Sequence, residues 1–166
     1  KGNLYNIFRH RVMTPIFDLR GNVIAFGGRV LDDSKPKYIN SPETLVYKKS
    51  KVVFAMQAAK KSVSKRFVLC EGYMDVISMQ QAGIDTAVCA CGTALTPDQV
   101  KLISEYADEV ILSYDSDEAG QKATARSLEM FSDSPVKVSI LQIPGAKDPD
   151  EYIKKYGADR FKALLD

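Results

Sequence analysis

From Phe67 onward the sequence repeats one rhythm, a short apolar run, a turn and a longer amphipathic run, and this constrains the fold more than any other feature. Phe67–Cys70 precedes Tyr73–Gln81, Thr86–Ala90 precedes Pro97–Tyr106, Val110–Tyr114 precedes Glu118–Met130, and Val136–Ile143 precedes a further short helix. Apolar runs of about four to eight residues bounded by turn residues predict buried strands. Strands alternating with helices predict a parallel sheet covered by helices, an α/β architecture. Thr96-Pro97-Asp98-Gln99 marks one helix start, with a hydroxyl cap, a proline at the first helical position and a glutamine three residues after the cap.

The preceding residues read differently, as a small basic α+β segment. Arg11–Asp18 and Val23–Val30 are apolar-rich runs joined by Leu19-Arg20-Gly21-Asn22, which predicts a β-hairpin. Gly27-Gly28 is expected to loosen its second strand. Asp32 to Pro42, with Pro36 and Pro42, reads as a long surface loop. Val52, Val53, Met56, Ala59 and Val63 recur at helical spacing and predict a helix near residues 50–63.

The charge divides at the same place. The net +2 of the 166 residues splits into +10 over residues 1–66 and −8 over residues 67–166. A basic surface neutralises phosphates, and a carboxylate cluster holds divalent metal, so the division predicts two electrostatic tasks. Arg29, Lys35, Lys37, Lys48, Lys49 and Lys51, interleaved with Tyr38, Asn40 and Tyr47, suit phosphate contact with base stacking, although a solvated lysine face has the same composition.

In an open parallel sheet, ligands collect outside the carboxyl ends of the strands. The acidic residues fall at those ends. Glu71 follows Phe67–Cys70, with Gly72 next and Asp75 in the first turn of the following helix; Asp115-Ser116-Asp117 follows Val110–Tyr114, with Glu118 and Gly120 beyond; Asp148-Pro149-Asp150 closes the last strand's loop. Asp117, Asp148 and Asp150 also suit plain helix-start roles. Glu71 and Asp115 stand in apolar contexts, where crowded carboxylates repel unless a cation or a shared proton intervenes. Mg²⁺ is the natural cation, because it takes oxygen ligands and bridges carboxylates to phosphates. The constellation admits phosphoryl or nucleotidyl transfer with one or two metals. No P-loop or Gly-x-Gly-x-x-Gly fingerprint occurs.

Glu71-Gly72-Tyr73-Met74-Asp75-Val76 and Asp115-x-Asp117-x-Ala119-Gly120 resemble the two signature motifs of the Toprim fold. Phe26-Gly27-Gly28-Arg29, Pro36 to Thr44, Gly92-Thr93-Ala94-Leu95 and Asp148-Pro149-Asp150 resemble bacterial DNA primase in particular, and the similarity runs over nearly the whole chain. The resemblance implies a division into residues 1–64, the end of a polymerase subdomain; 65–146, a Toprim domain; and 147–166, a short helical extension. It implies nucleotidyl transfer that makes short RNA primers on single-stranded DNA in the bacterial cytoplasm. Glu71, Asp115 and Asp117 would hold Mg²⁺ or Mn²⁺, with Asp75, Asp148 and Asp150 in the same catalytic site. Arg29, Lys37, Asn40 and Lys49 match positions of a basic ridge that guides nucleic acid. Implied partners are a single-stranded DNA template, ribonucleoside triphosphates, the nascent RNA primer and, through a region outside these residues, the replicative helicase. Zinc is implied only in a further domain. Ser116 stands where many relatives have glycine, and both flanking carboxylates are kept.

Other readings make different demands. A Toprim nuclease or topoisomerase would leave Pro36 to Thr44 unexplained, and the topoisomerase would need a nucleophilic tyrosine on another domain. A phosphate-accepting signalling domain would need an acidic pair after its first strand, where Glu71 stands alone. A non-catalytic DNA-binding module would bind DNA indifferently to Mg²⁺. Cys70, Cys89 and Cys91, embedded in apolar runs with His10 far away, predict buried thiols rather than disulfides or a zinc site. The longest stretch free of charged residues and histidine is 12 residues, Thr86–Pro97. A membrane-spanning helix needs about 18 or more, which argues against one here. The opening Lys-Gly-Asn-Leu lacks an initiating Met and suggests a piece of a longer protein.

Overall fold

The computed structural model describes residues 5–90, 92 and 94–166. Cys91 and Thr93, on which the sequence places expectations, lie outside the described residues.

Two sheets share the molecule. The first contains β1 (Arg11–Phe17), β2 (Val23–Val30) and β3 (Tyr38–Asn40), antiparallel in the order β1-β2-β3. The hairpin forms as its pattern predicts, with Asp18 tying the turn through bonds from the Arg20 and Asn22 amides, each 2.9 Å. Two expectations change here. Gly27-Gly28 does not loosen β2, which is paired on both sides: Gly28 faces Met13 on β1 and Ile39 on β3. The stretch from Asp32 to Pro42 is not all loop, because its last residues find that open edge and become β3. Arg11 pins the loop before β3, its guanidinium donating to the Pro36 carbonyl at 2.7 Å and the Lys37 carbonyl at 3.2 Å.

The second sheet has the order β4-β6-β5-β7-β8, built from β4 (Val53–Phe54), β5 (Arg66–Cys70), β6 (Ala87–Ala90), β7 (Glu109–Ser113) and β8 (Lys137–Ile140). β5 to β8 are parallel, as the strand–helix alternation predicts, and β4 is an antiparallel edge. The expected helix over residues 50–63 shrinks to one turn, α1 (Met56–Ala59). Val53 and Phe54 instead pair with Ala90 and Cys89, since an unpaired β6 edge offers hydrogen bonds that an isolated short helix cannot match. Helices α2 (Tyr73–Gln81), α3 (Pro97–Ser104), α4 (Glu118–Phe131), α5 (Pro149–Tyr156) and α6 (Ala158–Leu165) complete the fold. The predicted capping box at Thr96 and Gln99 is present.

The core joins the two parts. One apolar cluster runs from Ile16, Ala25 and Tyr47 through Val68, Val76 and Met79 to Tyr152 and Phe161. A second, around Phe67, Leu69, Ile103 and Leu112, fills the space between the sheet, α3 and α4. Gln99, fully buried, ties the basic segment to α3 by donating to the Lys49 carbonyl at 3.0 Å and the Val52 carbonyl at 2.8 Å. Cys70 and Cys89 are buried on the adjacent strands β5 and β6, as expected. No helix among the described residues is long and apolar enough to cross a membrane.

Candidate active site

The loops after β5, β7 and β8 emerge at one edge of the parallel sheet, so three separate acidic segments converge there. Glu71 leaves the end of β5, and α2 starts two residues later. Asp75 turns back within the first turn of α2, its Oδ2 accepting the Gly72 amide at 3.2 Å. Asp115 leaves the end of β7, and Asp117 caps α4 by accepting the Gly120 amide at 2.9 Å. Gly120 is obligatory there: a Cβ at that position would fall on the Asp115 carbonyl. Asp148 caps α5, accepting the Glu151 amide at 2.8 Å. Asp117 and Asp148 thus do the capping work open to them from sequence while staying at the same edge.

β2 and β3 bring the basic segment against that edge. The Tyr73 ring packs over Gly27, where a Cβ would crowd it to 2.9 Å, and stacks edge-on against Phe54 at 4.7 Å. Its hydroxyl donates to Asn40 Oδ1 at 2.8 Å. The result is a cavity of about 390 Å³ with opposite walls: Arg29, Lys37, Tyr38 and Asn40 from the basic segment, and Glu71, Asp75, Asp115, Asp148 and Asp150 from the sheet edge. Of the residues singled out from sequence, nine line this one space. Asp117 stands exposed at its rim. Lys49 does not line it, lying instead on the 3₁₀ turn Lys49–Lys51 against α3.

The carboxylates do not share one electrostatic state. Burial pushes Asp75 up to about 7, reinforced by the charges of Asp148 and Asp115. Burial and the nearby Asp115 also raise Glu71. Asp150 is lowered although burial opposes it, because Lys154 at 2.6 Å and Ser78 both donate to it. That carboxylate clamps α2 to α5 at the cavity wall. Sequence inspection missed Lys147: its ammonium lies 3.0 Å from Asp115 Oδ2 and 4.0 Å from Asp117 Oδ2. Its position just before Asp148-Pro149-Asp150 was visible, but which carboxylate it meets depends on the loop that folds it back. Tyr73 was visible within its motif, but its bond to Asn40 was not.

Among the described residues no three acidic, histidine or cysteine side chains are gathered closely enough to grip a metal unaided. The donor chemistry nevertheless fits a hard divalent cation, since every candidate ligand is a carboxylate oxygen. The upward pull of Asp115 and Asp117 on Glu71 marks an excess of negative charge that Lys147 offsets only in part.

Comparison with known proteins places this geometry. The family model for the N-terminal domain of the DNA primase catalytic core matches residues 1–60, and the Toprim-like family model matches residues 68–153. The DNA primase of Clostridium acetobutylicum is 48% identical over 98% of this chain, which spans 28% of that protein's length. A crystal structure of the Aquifex aeolicus primase, comprising zinc binding and RNA polymerase domains, superposes with a TM-score of 0.93 at 39% identity, covering 99% of this chain and 42% of that one. A DnaG primase catalytic domain bound to single-stranded DNA gives a TM-score of 0.88 at 39% identity, covering 97% of this chain and 52% of that one. With its basic sheet and its acidic sheet edge matched in sequence and in space, the chain belongs to the DNA primase catalytic-core family, and its second part is a Toprim-like domain.

Proposed function

We propose that this chain carries the nucleotidyl-transfer site of a DNA primase, a DNA-directed RNA polymerase that lays short RNA primers on single-stranded DNA for replication. One observation carries the reading: a single cavity is walled by Arg29 and Lys37 on one side and by Glu71, Asp75 and Asp115 on the other. Template and primer backbones need the first wall, and a metal-bridged triphosphate needs the second.

Glu71 and Asp115, with Asp117 at the rim, would hold Mg²⁺ or Mn²⁺, which when bound supplies Lewis acidity at the phosphorus and steadies the attacking and leaving oxygens. The chain's own residues do the rest. Arg29 and Lys37 bind phosphates, and Tyr38 offers a ring on which a base can stack. Asn40, held by Tyr73, presents its amide at a fixed angle. Asp75 and Asp148 complete the acidic wall, and Asp150 fixes its shape through Ser78 and Lys154. The ribose 3′-hydroxyl of one nucleotide gives up its proton to solvent and its oxygen forms a bond to the α-phosphorus of the next, while the bond from that phosphorus to the α–β bridging oxygen breaks to release pyrophosphate. Substrates are ribonucleoside triphosphates, the template and the nascent primer. Contact with the replicative helicase and zinc binding are assigned to no residue of this chain, and the setting is the cytoplasmic replisome. The basic part, residues 1–64, guides nucleic acid; residues 65–146 hold metal; and 147–166 brace the acidic wall.

The test is primer synthesis by an enzyme containing this chain with Asp115→Asn or Glu71→Gln. Synthesis should vanish while the unfolding transition stays in place; retained synthesis removes these residues from the site.

A further inference from the structure

Lys147 lines the cavity among the acidic residues, and its position is built rather than incidental. The Lys147 carbonyl accepts the Ser116 amide at 3.2 Å, zipping the loop after β8 to the loop that bears Asp115 and Asp117. Its own amide donates to Glu151 Oε2 at 2.9 Å, which fixes the backbone from the other side. The ammonium then reaches Asp115, whose side chain is 16% exposed, while the lysine side chain stays 55% exposed. One end of the pair is held and the other is free to leave.

On the reading of the site proposed above, we infer that Lys147 is the displaceable counter-ion of Asp115. It neutralises that carboxylate before metal arrives, yields the position to the divalent ion, and is then free to meet the triphosphate of the incoming nucleotide. The physics is an exchange of partners. A lysine ammonium is compact, strongly hydrated and carried on a flexible stem, so it leaves a half-exposed pair readily. A divalent ion brings twice its charge to the same oxygens and cannot share them with the ammonium at close range. The released charge stands at the mouth of a cavity whose substrates are polyanions. Metal loading and phosphate capture are thereby linked through one side chain, with opposite signs: the lysine opposes the metal and favours the nucleotide.

Those signs give the experiment. Mn²⁺ binding to the 166-residue chain is measured by electron paramagnetic resonance for wild type, Lys147→Ala and Lys147→Gln. Binding of a nonhydrolysable ribonucleoside triphosphate is then measured at saturating Mn²⁺. Both variants should bind Mn²⁺ about three- to tenfold more tightly, and the triphosphate about three- to tenfold more weakly, the range that losing one partly screened charge contact supplies. A merely structural lysine would weaken both or change neither, and either result overturns the inference. If wild type binds Mn²⁺ and the variants match it, only the role of Lys147 falls. If no chain binds Mn²⁺, the metal reading of the cavity falls first and this inference with it.

Discussion

Replacing Asp75 with Asn should make the protein more stable at alkaline pH and leave it nearly unchanged in acid. Asp75 is 7% exposed and its carboxyl is raised from 3.8 to about 7 by burial and by Asp148 and Asp115. Because the folded carboxyl holds its proton more tightly than the unfolded one, the contribution of Asp75 to stability is greatest below pH 3.8, falls as pH rises through the interval to about 7, and is flat above it. A shift of about three units corresponds to a ceiling of about 4 kcal/mol. Relaxation and water entry in a wall that borders a cavity halve this to about 2 kcal/mol. Asn keeps the shape and an oxygen for the Gly72 amide but cannot ionise. Urea unfolding in chelator-treated buffer should therefore show a gain of about 2 kcal/mol at pH 8.5, equivalent to about 4–8 °C in melting temperature. The gain should shrink towards zero by pH 4.5. Adding Mg²⁺ at pH 8.5 should narrow the gap, because a cation stabilises the ionised wild-type wall. An equal gain at both pH values, or none at pH 8.5, would refute the claim that an ionised Asp75 is what costs stability. The trade has a functional sense, since residues poised for charge chemistry commonly lower stability.

Three other perturbations test the framework. Gly120→Ala should cost about 3 kcal/mol or more in urea unfolding, because its Cβ would meet the Asp115 carbonyl, backbone that cannot swing aside. Tyr73→Phe removes the 2.8 Å bond to Asn40 and should cost about 1 kcal/mol of stability. It should also loosen single-stranded DNA binding about fivefold while leaving Mn²⁺ affinity unchanged, as read by fluorescence anisotropy and paramagnetic resonance. Lys37→Ala should weaken single-stranded DNA binding and reduce the slope of log affinity against log salt by about 0.7, the contribution of one phosphate contact; an unchanged slope would make Lys37 a solvated charge.

Much of this site is legible in the sequence alone. Period and punctuation are local properties: apolar runs of strand length alternating with helical runs define parallel strands, and the geometry of such sheets puts the residue after each strand at one edge. Glu71, Asp115 and Asp148 could be assigned to one site on that basis. The hairpin was legible for the same reason, as two strands joined by a turn that needs no distant partner.

What the chain could not announce locally is what depends on an edge or a cavity made elsewhere. Tyr38–Asn40 is a strand only because β2 leaves one side open, and Val53–Phe54 only because β6 does. Helical spacing at Val52, Val53 and Met56 was real but lost to that competition, since short segments take the partner that satisfies their backbone. Gly27 and Gly28 read as flexibility, yet tertiary packing uses Gly27 for the close approach of Tyr73. Charge was the hardest part to read. Six carboxylates look alike in sequence, but burial and neighbouring charge raise Asp75 to about 7, whereas hydrogen bonds from Lys154 and Ser78 lower Asp150 against its burial. The meeting of Lys147 with Asp115 rests on two loops 32 residues apart in sequence, joined by one backbone hydrogen bond. Sequence determined which chemical groups reach the sheet edge, because strand period and turn residues act over a few positions; tertiary structure decided their partners and protonation, because those depend on distance and dielectric across the whole fold.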